Sequence, residues 1–335
     1  MGDHREGRPG EDGVLTSGKG GMAGEPLGGE DISTSGSGGY DGLSVQGVRD
    51  SKRDGRPIIR RARMAYKFYL PEMLRGEVKE AAEAGAVVLV PVATIEQHRE
   101  HLPLHTDIDN VTSICKGVAE RLNPNPRVLV GAPFWLSPSP WDPETIPYFM
   151  VKVRKEVYME ALNDVLESYL RAGFKRIVVV NGHGGGTEKW IPQVIEKLNS
   201  KMSSIWPDWR IPQDARVVGF CWISFLGEFA GDELRKILGG REDRDWHGGE
   251  IETSLQLYLR PELVDMSRAE ADPPPKEARF APFSLSTWHR QFIIEGYYKP
   301  GTICNDPTLA TAETGRKVFE LVVGKIGEFI KEFVR

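Results

Sequence analysis

Four short runs of branched aliphatic residues, "AVVLVPV", "RVLVGAP", "KRIVVVNG" and "ARVVGFCWI", set what this chain can fold into. A strand with one wet face alternates apolar and polar residues; a continuous apolar run is buried on both faces. The intervening segments have the 3.6-residue period of amphipathic helices. "YLPEMLRGEVKEAAEAG" has Pro71 near its start and Gly85 at its end, the positions that open and close helices. "NVTSICKGVAERL" is expected to be capped by Asp109 or Asn110. "KEVYMEALNDVLESYLRAG", "TEKWIPQVIEKLN", "GEIETSLQLYL" and the C-terminal "TLATAETGRKVFELVVGKIGEFIKEFV" complete the set. Strand and helix in alternation predict an α/β fold whose mostly parallel central sheet is covered on both faces.

Residues 1 to about 57 have a different composition, with runs such as "GKGGMAGEPLGGE" and "GSGGYDG". So little apolar surface does not offset the entropy of ordering a chain. This segment is expected to be a disordered Gly/Ser-rich extension, and residues 58–335 the folded domain. Two Pro-rich, aromatic segments, 133–149 and 272–289, are too long for simple connectors and are expected to wall a pocket. The net charge of -5 provides no basic field for nucleic acid. No apolar run reaches the ~20 residues of a membrane span, and no leader-like apolar stretch is visible near the start. Cys115, Cys221 and Cys304 are odd in number and far apart, which points away from a disulfide framework and towards a reducing, cytoplasmic setting.

The polar chemistry collects where the strands end. "PVATIEQHREHLPLHTDIDN" follows the first run and holds His98, His101 and His105 with Glu96, Glu100, Asp107 and Asp109. "NGHGGGT" follows the third run and carries His183; "DWHGGEIETS" carries His247 and opens a helix. Only His4 and His289 lie elsewhere. In an open parallel sheet, ligands bind beyond the carboxyl ends of the strands. On extended chain, Glu96 and His98 point the same way. Asp107, on chain returning after Pro103, can face the same place and bridge two cations, with His183 and Glu250 as further ligands. Imidazole with carboxylate suits Zn²⁺, Mn²⁺ or Fe²⁺ rather than Ca²⁺ or Mg²⁺. His101 and His105 fit hydrogen-bonded structural roles equally well. "GHGGGT" has neither the P-loop nor the dinucleotide-fold glycine spacing, and the first motif is not H-E-x-x-H.

These motifs resemble those of the creatininase (creatinine amidohydrolase) family: E-Q-H, then H-L-P-L and T-D in "PVATIEQHREHLPLHTD", followed by "NGHGGG", "HGGEIETS" and "NDPTLATAETGRKVFE". The resemblance runs from about residue 68 to 330. It implies a three-layer αβα sandwich, a homo-oligomer such as a hexamer, and two divalent metal ions. It also implies that Glu96, His98, Asp107 and His183 are metal ligands, with Asp107 as the bridge. Creatininase itself has a Glu ligand two residues after the second motif's His; here that position is Gly185, and Glu250 of the third motif is expected to take the role. His247 matches a histidine that works beside the substrate. The mouth differs: the family's usual G-S-T-E-Q-H-G-P-H reads "ATIEQHREH" here, with Arg99 and Glu100 in place of small residues, and "SPSPWDPETIP" has no His.

The expected activity is that of a metal-dependent hydrolase, in which a metal-bound hydroxide opens a small cyclic amide or related C–N bond. His247 would supply the leaving group's proton, and Glu250 would act as ligand or base. Gly248 and Gly249 would offer backbone N–H groups to the oxyanion, and Trp141, Trp246 and Arg99 would line the substrate site. Two alternatives stand beside it: hydrolytic C–C opening of a cyclic diketone derived from inositol, and a non-catalytic metal-binding scaffold.

Overall fold

The computed structural model describes residues 67–138, 150–184, 187–202, 211–212, 214–241, 247–271 and 306–335. The expected extension over residues 1–57, the whole of segment 272–289, most of segment 133–149, Trp141 and Trp246 lie outside these residues.

All four apolar runs form strands: β1 (Val87–Val92), β2 (Val128–Val130), β3 (Arg176–Asn181) and β4 (Arg216–Cys221). Every pairing is parallel and the spatial order is β2-β1-β3-β4. Register runs without slip from Val87↔Arg176 to Val92↔Asn181, so β1 and β3 end side by side. The helices are α1 (Arg75–Glu83), α2 (Thr106–Leu122), α3 (Lys155–Arg171), α4 (Ile191–Lys201), α5 (Trp222–Leu238), α6 (Glu250–Leu259) and α7 (Ala312–Phe333).

Alternation along the strands divides the interior into two cores. Val87 and Leu89 of β1, with Val178 and Val180 of β3, pack on α2, α5, α6 and α7. Val88, Val90 and Val92, with Ile177 and Val179, pack on α1, α3 and α4. The architecture is therefore the three-layer α/β sandwich, and the continuous apolar runs have their cause in two buried faces. Fully burying one Val or Leu side chain contributes roughly 1.5–3 kcal/mol, so the twin cores can carry a polar cluster at one end of the sheet.

Several elements differ from expectation. The first expected helix divides into a 3-10 turn at Leu70–Glu72 and α1, and the helix expected over "TEKWIPQVIEKLN" likewise into a 3-10 turn at Thr187–Lys189 and α4. Helix α2 begins at Thr106, ahead of the expected Asp109 or Asn110 cap, so Asp107 sits in its first turn rather than on a loop. The Thr106 N–H and hydroxyl both bond the Pro103 carbonyl, which starts the helix early. The run "ARVVGFCWI" is strand only as far as Cys221, and Trp222 opens α5, a helix of 17 residues that the pattern does not predict. Gly227 and Gly231 inside it weaken the helical signal.

Helices α6 and α7 cross closely at Gly315, where an added Cβ would stand 1.9 Å from the Ser254 carbonyl oxygen. Gly227 is exposed on α5, and an added Cβ there meets nothing within 4 Å. Gly315→Ala is expected to destabilise by ~1–3 kcal/mol through overpacking. Gly227→Ala should stabilise by ~0.5–1 kcal/mol. Chemical denaturation of the two variants checks both signs, and equal effects would refute this packing.

Candidate metal centre

The β1–β3 boundary is where the sheet's connections turn in opposite directions, β1 leading to β2 on one side and β3 to β4 on the other. Such a switch point opens a crevice at the strands' carboxyl ends. Beyond β1, the Glu96 N–H donates to the Leu104 carbonyl (3.0 Å), and His98 and Leu102 form an antiparallel bridge. This folds residues 96–104 into a tight loop that returns the chain to α2. Arg99 takes φ +64° at its turn, the only non-glycine with positive φ among the described residues. Beyond β3, Asn181 accepts from the His183 N–H (3.1 Å) and donates to its carbonyl (2.6 Å), while the Thr187 hydroxyl donates to the same carbonyl (2.8 Å). His183 is thus fixed by its own backbone.

These segments converge on Asp107. Its Oδ1 lies 3.0 Å from His98 Nε2 and its Oδ2 2.9 Å from His183 Nδ1. Glu96 Oε1 is 3.1 Å from the same His183 nitrogen and 3.6 Å from His247 Nδ1. Glu252 Oε2 is 3.7 Å from His98 Nε2. His98 Nδ1 contacts the Glu96 carbonyl at 3.1 Å; a proton there donates to that oxygen and leaves Nε2 facing the carboxylates, the arrangement that orients a ligand imidazole. Glu96, Asp107 and His183 bring ligand atoms within 4.8 Å of one another, and so do His98, Asp107 and Glu252. A third group, Glu96, His98 and His247, meets the same limit.

The charges in this buried space are strongly perturbed. Burial alone would lower His98, but Asp107 and Glu252 outweigh it and raise its pKa to about 10. His183 behaves likewise: burial opposes its charge, and Glu96 and Asp107 raise it well above the usual value. Burial would raise Asp107 and Glu96, yet His98 and His183 hold Asp107 low and His183 holds Glu96 low. Glu252 is pushed up to about 7 by burial, with His98 opposing and Asp107 adding to the rise. His247 is lowered to about 4 by burial and by the charge of His98. Three carboxylates packed around imidazole nitrogens call for compensating positive charge. The donor set, carboxylate oxygens with imidazole nitrogens, fits divalent transition-metal cations.

The remaining expected residues take other places. Glu250 is not in the cluster: its carboxylate receives Arg241 Nε at 2.9 Å and Nη2 at 2.7 Å. Glu252 stands where Glu250 was expected. The reason is helical geometry, since side chains two residues apart point about 200° away from each other at 3.6 residues per turn. The Gly248 N–H, expected to face an oxyanion, donates to Glu252 Oε2 at 2.6 Å. Gly249 is the N-cap residue of α6. Arg99 lays its stem along Gly248 and donates to the Glu270 carbonyl at 2.6 Å. His101 is buried against the Thr253 hydroxyl (2.9 Å), and His105 is the N-cap residue of α2. Gln97 was not singled out from the sequence, yet its carbonyl lies 2.5 Å from His247 Nε2. Asn181 was also missed. Glu252 was detectable as the second carboxylate of the motif that carries His247.

The family model for creatinine amidohydrolase matches residues 71–330. The chain belongs to the creatininase family of hydrolases. It is 26% identical over 278 residues to creatinine amidohydrolase of Pseudomonas putida, covering 80% of this chain and 98% of that one. It is 29% identical over 247 residues to the mycofactocin precursor peptide peptidase of Mycobacterium ulcerans (70% and 81% covered). It is 24% identical over 261 residues to the 3-dehydro-scyllo-inosose hydrolase of Thermotoga maritima (76% and 71% covered). The solved structure "Creatininase Mn" superposes with a TM-score of 0.59 at 24% identity, covering 80% of this chain and 98% of that one, and shows the same fold.

The raised imidazoles give a pH test. His98 and His183 hold protons in the metal-free protein above the ordinary histidine range, and a ligand imidazole must be neutral. Cation binding therefore expels protons, and affinity rises with pH and falls as pH drops. Calorimetry with Mn²⁺ or Zn²⁺ at pH 7, in buffers of different ionisation enthalpy, should show about one or more protons released per chain. Zero release or net uptake would contradict the assigned cluster.

Proposed function

We propose that this chain is a hydrolase that opens the C–N bond of a small amide, cyclic amides first, at a centre of two divalent cations (Zn²⁺, Mn²⁺ or Fe²⁺). The observation that carries the reading is the Asp107 carboxylate held between His98 and His183, with Glu96 and Glu252 flanking it. Glu96, Asp107 and His183 would hold one cation, and His98, Asp107 and Glu252 the other. When bound, such cations supply Lewis acidity and lower the pKa of water towards ~7. Solved creatininase structures include "Creatininase Mn" and a "Zn-Zn type", which supports the choice of metals.

His247 is the group placed to move a proton. Held neutral, it donates Nε2–H to the Gln97 carbonyl and turns the Nδ1 lone pair towards Glu96. Nδ1 can take a proton from the attacking water and return it to the leaving nitrogen, which refines its expected role as donor alone. His247 is the most exposed of the three clustered imidazoles, its side chain 31% accessible against 0% for His98 and 6% for His183, so substrate would approach from its side. Glu250 is assigned neither ligand nor base, and Arg99 lies on the rim beside Gly248.

Two relatives are named for cleaving creatinine and a precursor peptide, which favours C–N bonds. The third is named for an inosose and supports a second reading, hydrolytic ring opening of a cyclic diketone from inositol. A non-catalytic scaffold is disfavoured by a ligand set in which each of the two cation positions has three donors. A cytoplasmic homo-oligomer acting on a small molecule fits the reading; among the described residues no helix is long and apolar enough to cross a membrane.

Turnover of lactams, short peptides and cyclic diketones decides between the readings. Asp107→Ala should lose bound metal and at least ~10³-fold in kcat/KM, about 4 kcal/mol of transition-state stabilisation. His247→Asn should keep its metal and lose ~10²-fold or more. Metal content unchanged in Asp107→Ala would overturn the proposal.

A further inference from the structure

Glu250 is a buried carboxylate that the cluster does not use. Its side chain is 4% exposed, while that of its partner Arg241 is 41% exposed. Helix α5 ends at Leu238, and Gly239 and Gly240, at φ +61° and +80°, turn the chain to Arg241. Glu250 is the first residue of α6. The two bonds from Nε and Nη2 therefore tie the end of one helix to the start of the next. A bidentate guanidinium–carboxylate pair fixes the plane as well as the distance between its partners. A carboxylate in a helix's first turn is already favoured by the helix dipole, so the contribution of Arg241 is geometric.

His247 stands three residues before Glu250. The His247 ring meets the Gln97 carbonyl and, at 3.3 Å, the Gln97 side-chain amide, and lies stacked on His98 with centroids 4.2 Å apart. The next residue, Gly248, donates its N–H to Glu252 and rests on the Arg99 stem, where an added Cβ would be 3.2 Å from Cγ. A small displacement of a proton-transfer group is costly for reaction, and Glu250 is the nearest side chain in sequence that fastens this stretch to another element. We infer that Arg241 and Glu250 form a positioning lock: they hold the start of α6, and with it the residues just before it, so that His247 faces the metal cluster and the Gly248 N–H restrains Glu252. The inference rests on the proposed hydrolase reading for its kinetic consequence, but not for its structural one.

The test uses the full chain loaded with Zn²⁺ and the variants Glu250→Gln and Arg241→Met. Bound zinc should stay at the wild-type level in both. Hydrogen exchange at the Gly248 amide should rise about tenfold, the scale of one lost charge-assisted contact, with exchange in α3 unchanged. Added guanidinium should restore protection in Arg241→Met. On any amide that the wild type turns over, kcat should fall with KM nearly constant. Zinc lost from Glu250→Gln but kept by Arg241→Met would make Glu250 a ligand and overturn the lock; so would unchanged exchange in both variants. If Glu250→Gln does not fold, the half-exposed Arg241→Met decides alone. Should no amide be turned over while exchange responds, the hydrolase reading fails and the lock stands.

Discussion

One carboxylate organises this protein. Asp107 offers one oxygen to an imidazole from the β1 loop and the other to an imidazole from the β3 loop. For that, the first turn of α2 must sit against the ends of two neighbouring strands. Gly182 permits it: an added Cβ there would lie 2.7 Å from the Asp107 carbonyl oxygen and 2.8 Å from Val111 Cβ. The helix start thus rests directly on the backbone beyond β3. Burying several ionised groups together is expensive unless they are paired or liganded, and the two apolar cores on either side of the sheet offset that cost. The cluster forms where the sheet can hold it, at the ends of its two central strands.

The third-motif carboxylates show how the same residue type acquires different work. Glu250 and Glu252 are two positions apart on one helix, so they face nearly opposite directions. Glu252 turns to His98 and is restrained by the Gly248 N–H; Glu250 turns to Arg241 and fastens the chain. His247 and His98 differ in a similar way. Both rings bond to a backbone carbonyl of the first motif, His98 through Nδ1 to Glu96 and His247 through Nε2 to Gln97. The charged carboxylates around His98 favour its protonation, whereas burial beside His98 keeps His247 neutral.

The fold was legible wherever apolar runs are continuous. All four strands lie within the predicted segments; in β1, β2 and β3 burial on both faces leaves an unbroken Val/Ile/Leu signature, whereas the edge strand β4 is only partly buried and keeps an apolar run all the same. Helix α5 was not legible, because its glycines blur the period and the strand before it shares its apolar composition. The early start of α2 was hidden because its determinant is the Pro103 carbonyl, a backbone group. Within the site, Glu96, His98, Asp107 and His183 could be picked out because charged groups next to core strands need a partner. Exchanging Glu250 for Glu252 needed the direction each side chain takes on its helix, which a motif match does not contain. Gln97 meets His247 through its carbonyl and its side-chain amide and accepts the Arg99 N–H; a neutral amide beside three histidines and four carboxylates drew no notice in the sequence.

The most direct measurement is anomalous diffraction at the manganese or zinc edge from crystals of the metal-loaded full chain. The account predicts two peaks flanking the Asp107 carboxylate, one touching Glu96 and His183 and the other touching His98 and Glu252, with Glu250 still on Arg241. A single peak remote from Asp107, or Glu250 in a coordination sphere in place of Glu252, would contradict it.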